Sequence, residues 1–199
     1  MSYTKPPESI EIGGKAYPVD TDFRTWVEFS SKLRDAKDDK SAFFELIRFA
    51  RSQKLPVKGD AFEKILEFYA CGKQAKAKKD DNKRSNAKKN RRAVDFEQDS
   101  DYIYAAFMAQ YQIDLHTAQL HWWDFLSLFH ALGDEHLICK IMTYRVADTS
   151  KMSKELKAHY IKMRNLYSLE KPSGMTLEER NAKWLKKVEN IAKEAGADG

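Results

Sequence analysis

Apolar and polar positions alternate with a period of two at the start of the chain and with a period near 3.6 over most of the rest. Ile10-Glu11-Ile12 and Lys15-Ala16-Tyr17 flank Gly13-Gly14. Two glycines between alternating runs predict a tight β-hairpin over residues 9–19, since a two-residue loop demands positive φ angles. Pro18 stands at its outer end, where a missing N–H does least harm. Phe23, Trp26, Val27 and Leu33 then recur at helical spacing behind Asp20, Thr21 and Asp22, any of which can cap a first turn. A second helix is expected from Ser41 to about Ser52, burying Phe43, Phe44 and Ile47, and Lys54-Leu55-Pro56 breaks it. Asp60-Ala61-Phe62-Glu63 has capping-box spacing and opens a third helix carrying Phe62, Ile65, Leu66 and Tyr69, closed by Gly72 at the C′ position.

Residues 73–92 hold no large apolar side chain, so they cannot offset the entropy of ordering and are expected to form a mobile basic linker. Order resumes at Val94. Asp95 or Asp99 is expected to cap a helix with Ile103, Ala106, Phe107 and Tyr111 on its inner face, followed by a turn at Ile113-Asp114-Leu115. Thr117 is expected to start a helix whose apolar positions, from Leu120 through Trp122 and Trp123 to Leu132, occupy nearly its whole circumference. Such a helix is central or contacts a partner. Gly133 ends it and Asp134 caps the next, with Leu137, Ile138, Ile141 and Met142 facing inward. Met152, Leu156, His159, Tyr160, Met163 and Tyr167 follow amphipathic spacing up to Pro172-Ser173-Gly174. Thr176 to Glu179 is a further capping box, ahead of a C-terminal amphipathic helix with Leu177, Trp184, Leu185, Val188 and Ile191 in one stripe.

The fold class is therefore mainly α: an N-terminal β-hairpin (1–20), a first helical part (21–72), the basic linker (73–93), an aromatic helical part (94–170) and the amphipathic C-terminal helix (171–199). The 33% of charged and 42% of hydrophobic residues are ordinary globular usage. No stretch approaches the ~18 to 20 apolar residues of a membrane span, and the first twenty residues lack a secretory h-region, so a cytosolic, non-membrane protein is expected. Cys71 and Cys139 are widely separated, as suits reduced thiols. The net charge of +5 resolves into ten Lys or Arg against two Asp between Lys73 and Arg92, a local +8, leaving −3 for the remainder.

Chemistry finds little purchase. His116 with His121, and His130 with His136, lack the i, i+4 spacing of zinc helices, so no metal or cofactor is expected. His121 and Asp124 stand at i, i+3, but no nucleophile accompanies them, and an ion pair or hydrogen bond on a helix surface is the plainer reading. Asp95, Glu97, Asp99 and Asp101 lack a calcium loop's central glycine and terminal glutamate; helix capping accounts for them. An enzyme is not expected. The basic segment offers a nucleic-acid arm through Lys78, Lys79, Lys83 and Arg84, then Lys88, Lys89, Arg91 and Arg92. It has no aromatic residue for base stacking, which favours a solvated linker. Trp122 and Trp123 point about 100° apart on a helix, so one can fill the core while the other stays at the rim.

Several words of this sequence occur together in one known family. Tyr17-Pro18-Val19-Asp20-Thr21-Asp22-Phe23-Arg24, Asp95-Phe96-Glu97-Gln98-Asp99, Tyr102-Ile103-Tyr104-Ala105-Ala106-Phe107, Leu120-His121-Trp122-Trp123 and Tyr144-Arg145 resemble, in that order, the bacteriophage gp-fifteen family of siphophage tail clusters, which is similar to tail assembly chaperones. The resemblance leads one to expect glycine at Gln112 and Thr143 and a basic residue at Asp124. It implies a helical protein of the host-cell cytoplasm that binds the tape-measure protein and tail-tube subunits, with possible self-association, and is absent from the finished virion. A nucleic-acid-binding phage factor and a structural tail or connector component are the alternatives. The interaction residues expected are Tyr102, Tyr104, Trp122, Trp123 and Phe125, with Tyr144 and Arg145, as an aromatic surface for an apolar helix.

Overall fold

The computed structural model of the chain describes residues 5–36, 38–58, 60–72 and 91–169. The basic segment 73–90 and the C-terminal helix expected after residue 170 lie outside the described residues. Those described form two compact units, one from the described residues of 5–72 and 95–136, the other from 91–94 and 137–169. The stretch 94–170, read from sequence as one part, is thus shared between them.

In the first unit β1 (Ser9–Ile12) pairs antiparallel with β2 (Lys15–Pro18), Ser9 opposite Pro18 and Ile12 opposite Lys15. Gly13 and Gly14 have φ of 57° and 76°, so the loop is built from the left-handed conformers that glycine adopts without a Cβ penalty. Ile10 and Ile12 face inward, where β1 packs on α3. Helix α1 (Phe23–Asp35) starts at Asp22, whose side chain accepts the Arg24 N–H. Its inner stripe is Phe23, Trp26 and Phe29.

Helix α2 (Asp39–Ser52) is capped by Asp38 and buries Phe49 and Ala50. Phe43 and Phe44, expected in the core, are 47% and 54% exposed. Burial is confined to the C-terminal half of the helix; near its start Phe43 only rests its edge against Phe62, 5.0 Å between centroids. Helix α3 (Ala61–Tyr69) begins at Asp60 without a side-chain cap bond, so the capping box read from the sequence is not formed. Its end differs too: the C′ position is Cys71, at φ 57°, with Gly72 one residue later. Cys71 N–H donates to Phe68 O and Gly72 N–H to Glu67 O, the paired bonds of a Schellman ending.

Helix α4 (Ser100–Tyr111) buries Ile103, Ala106 and Phe107 and ends at Gln112, at φ 57° and ψ 30°. Helix α5 spans Trp122–His130 and begins five residues later than the sequence pattern indicates. The intervening residues are used otherwise. Phe23 N–H donates to Leu120 O (3.0 Å) and Trp122 N–H to Thr21 O (2.8 Å), a single antiparallel bridge between Asp22 and His121 that ties the starts of α1 and α5 together.

Two aromatic clusters make the core of this unit. Trp26, fully buried, contacts Phe68 (4.8 Å), Phe49 (4.9 Å) and Phe29 (5.9 Å). Phe125 stacks with Phe23 (4.7 Å) and Phe107 (5.3 Å). Tyr69 stacked on Trp122 at 5.5 Å joins the two. Ring pairs of this kind add about 0.5–1.5 kcal/mol each beyond the area they bury.

The second unit contains α6 (Leu137–Val146) and α7 (Lys154–Leu166), which pack on each other. Ile138 and Ile141 are buried, whereas Leu137, expected to face inward, is 43% exposed. Ser153 caps α7. Arg164 donates to the Tyr144 and Ala147 carbonyls at the end of α6, and Arg145 donates to the carbonyls of Tyr167 and Ala93. Arg164, and Arg145 through Tyr167, thus satisfy carbonyls that the ends of α6 and α7 leave open, while Ala93 lies in the non-helical segment before Asp95.

Candidate functional site

One face of α1 lines an apolar cleft for the whole length of the helix. Phe23, Val27, Ser31 and Asp35, each four residues after the last, lie along it, and its volume is about 530 Å³. Thirteen residues of α-helix extend about 20 Å, roughly three and a half turns. The opposite wall is Phe96 with Ser100, Ile103 and Tyr104 from the start of α4; Leu115 and Phe125 complete the lining. Phe23, Ile103, Leu115 and Phe125 are buried, so the cleft floor is preformed by core side chains. Charges of both signs border it: Arg24, Glu28 and Lys32 from α1, Glu97 across from them.

Each end of α1 carries an arginine that fastens the helix to the opposite side. Arg24 pairs with Asp22 and donates to the carbonyls of Leu115 (2.6 Å) and Ala118 (3.1 Å), while its guanidinium covers the Phe23 ring at 4.5 Å. At the other end Arg34 reaches both Asp95 oxygens and Glu97 Oε2, and pairs with its neighbour Asp35. Hydrogen bonds to Asp35, Glu97 and Asp95 hold the Arg34 side chain above its ordinary pKa despite partial burial. Asp95 also accepts the N–H groups of Glu97 and Gln98, and Asp99 accepts that of Asp95. Asp99 occupies the N-cap position of α4 without making the cap bond. Of the acidic run read as helix capping, Asp95 and Glu97 therefore also clasp Arg34, while Asp101 stands in the first turn of α4. The clasp presents Phe96 edge-on to Trp122, Phe125 and Phe129, at the wall of the cleft.

The expected interaction residues separate. Phe125 and Tyr104 line the cleft, with Tyr104 tilted against the His116 ring at 4.5 Å between centroids. Trp122 is 1% exposed and donates its indole N–H to Tyr69 O, so it is a core residue and not a surface anchor. Trp123 is half-buried and donates to Phe68 O. The two indoles thus close the last carbonyls of α3, a role for which neighbouring residues pointing in different directions are well suited. Tyr102 and Tyr144 are half-buried outside the cleft lining, and Arg145 is buried, with its guanidinium on backbone carbonyls.

His121 does not pair with Asp124. Its Nδ1 accepts the Trp123 N–H at 3.0 Å as the N-cap of α5, and Nε2 stands 3.0 Å from Pro7 O, an arrangement met by the tautomer with its proton on Nε2. No cluster of metal-ligating side chains occurs among the described residues, and no described helix is long and apolar enough to cross a membrane. Of the basic positions, Arg91 and Arg92 are described and exposed; Lys78, Lys79, Lys83, Arg84, Lys88 and Lys89 lie outside the described residues.

Sequence reading missed the α1 face as a wall and both arginine ties. The i, i+4 row of Phe23, Val27 and Ser31 was a visible signal. The partners of Arg24 and Arg34 were not, since they come from 61 to 94 residues away.

Residues 4–169 match the family model described as Bacteriophage Gp15 protein, which takes in the hairpin, all seven described helices and the cleft. Among curated proteins and solved structures nothing matches the chain.

Proposed function

From the chain's membership of the Bacteriophage Gp15 family we infer a part in building the phage particle, and we propose that the protein is a tail assembly chaperone that shelters an apolar helical stripe of the tape-measure protein, with tail-tube subunits as further clients. The cleft along α1 carries the reading. It is about as long as a three-turn helix, apolar at its floor and bordered by charges of both signs. Such a groove accepts an amphipathic helix through anchors at i, i+3, i+4 and i+7. A long helical client with exposed apolar stripes aggregates unless covered, and covering it during assembly is the service proposed. Binding takes place in the host cytoplasm, the protein leaves before the particle is complete, and no bond is made or broken.

Ser31 and Ser100 are small residues in the lining, and Trp at either position fills the cleft without removing a core side chain. Ser31→Trp and Ser100→Trp variants that keep the helical circular dichroism of the parent are expected to capture the tape-measure protein at least about tenfold less well, the loss of about 1.4 kcal/mol. Equal capture by both variants would remove the cleft from the mechanism. Mass spectrometry of purified particles tests the second part: a stoichiometric copy in the virion would make the protein a structural tail or connector component instead.

A further inference from the structure

Charge is divided sharply between the two units. The described residues of the first carry eleven Lys or Arg against twenty Asp or Glu, a net −9, and from Asp95 to His136 there is no Lys or Arg at all. The described residues of the second carry nine against two, a net +7. Two of those nine, Arg91 and Arg92, belong to the basic segment 73–92, but the other seven do not, so the small net charge outside that segment hides a strong polarisation between the units.

Each unit also presents one exposed helix face of matching design. No residue of α7 is buried, and Lys154, Ala158 and Ile161 stand at i, i+4 and i+7 on a face that Lys157 and Lys162 flank; all five are exposed, Ile161 by 40%. On α4 the exposed positions Asp101, Ala105 and Met108 stand at the same i, i+4 and i+7, Met108 also 40% exposed. Each face has a charge, then a small residue, then a large apolar one. The small residues allow close approach of two helix backbones, and the apolar ends meet when the charges do.

We propose that the α7 face of one copy docks on the α4 face of a second copy, Lys154 towards Asp101 and Ile161 towards Met108, so that the protein associates with itself through unlike faces. Two α7 faces brought together in parallel would oppose lysine to lysine, and two α4 faces aspartate to aspartate, so each contact takes unlike faces from two copies. Made once between two copies the contact repeats as a ring or an open row, and made reciprocally it closes a two-fold pair. The opposite charges of the two units, −9 and +7, make the acidic unit of a second copy a complementary occupant of the basic face. This inference does not depend on the α1 cleft or on a client.

Sedimentation velocity of the full chain tests it, at about 50 mM and about 500 mM NaCl, where the screening length falls from about 14 to about 4 Å. Oligomers are expected at the lower salt, with self-association at least about tenfold weaker at the higher. Asp101→Lys and Lys154→Asp are each expected to weaken self-association about tenfold, while circular dichroism stays that of the parent. The chain carrying both changes recovers it, because the two charges are exchanged across the same contact. Ala105→Cys mixed with Ala158→Cys should give a disulfide-linked pair that neither variant yields alone. A chain that stays monomeric at low salt, association that ignores both single reversals, or a monomer that instead shifts a duplex DNA probe through Lys154, Lys157 and Lys162 would each overturn the proposal.

Discussion

Arg34 and Asp95 meet across 61 residues of sequence, with Arg34 Nη1 at 2.6 and 2.7 Å from the two carboxylate oxygens. Asp95 is 1% exposed at its side chain and Arg34 12%, so the pair is largely withdrawn from water. Deleting one partner strands the other's charge. Arg34→Ala is expected to lower the unfolding free energy by about 3 kcal/mol, and Asp95→Ala by a similar amount. Glu97→Gln should cost less than about 1 kcal/mol, because Glu97 is 44% exposed and its pairing is screened. Arg34→Lys should not rescue, since a point charge cannot reach Asp95, Glu97 and Asp35 at once. Urea midpoints of the four variants check the order, and a double-mutant cycle isolates the pair.

Gln112 closes α4 in the left-handed region, where a Cβ is unfavourable. Gln112→Gly is expected to stabilise the protein by about 0.5–1 kcal/mol, the relief of the left-handed conformer less the entropy of an added glycine. Differential scanning calorimetry should show a higher Tm. A lower one would mean that the Gln112 side chain contributes more than its backbone costs.

Trp122 and Trp123 differ in depth, so truncating them should differ in consequence. Trp122→Ala removes a buried ring and is expected to cost about 3–5 kcal/mol, enough to unfold much of the population. Trp123→Phe keeps most of the ring packing on Phe68 and loses the bond to Phe68 O, about 1 kcal/mol. Thermal melts read both. Client capture by a Trp122→Ala chain would report on folding, whereas Trp123→Phe leaves a folded protein to assay.

Tyr69 donates to Ser30 Oγ at 2.7 Å, and burial pushes its phenol above the ordinary range. A raised value means that the fold holds the proton. Its contribution is complete below the unfolded pKa of about 10 and is lost as pH rises from there through the folded value. Tyr69→Phe is expected to cost about 1 kcal/mol at neutral pH for the lost hydrogen bond. The gap between parent and variant should narrow above about pH 10. Urea unfolding of both across that range would show the convergence, and a constant gap would contradict it.

Local features of this fold were legible because local rules produce them. Gly13-Gly14 had to turn, Asp22 stood at a cap, and Phe23, Trp26, Phe107 and Phe125 carried helical spacing. Where reading failed, a distant partner had claimed the residue. The segment 118–121 looked helical by its apolar neighbours, yet Leu120 O accepts the Phe23 N–H and the adjoining Trp122 N–H donates to Thr21 O. Phe43 and Phe44 looked buried by their chemistry, but no described element covers the start of α2 closely enough to seal them. Asp60 had capping-box spacing, and its side chain makes no cap bond.

The same division holds for the candidate site. Periodicity and turn chemistry in the chain alone dictate a β-hairpin followed by helices, and the order of a few aromatic words places it in its family. Neither could reveal that Trp122 and Trp123 finish α3, that Asp95 clasps Arg34, or that an apolar cleft lies along α1 with Phe125 of α5 in its lining. Those depend on which helix ends come together after collapse, where unsatisfied carbonyls and buried charges must find partners wherever the packing brings them.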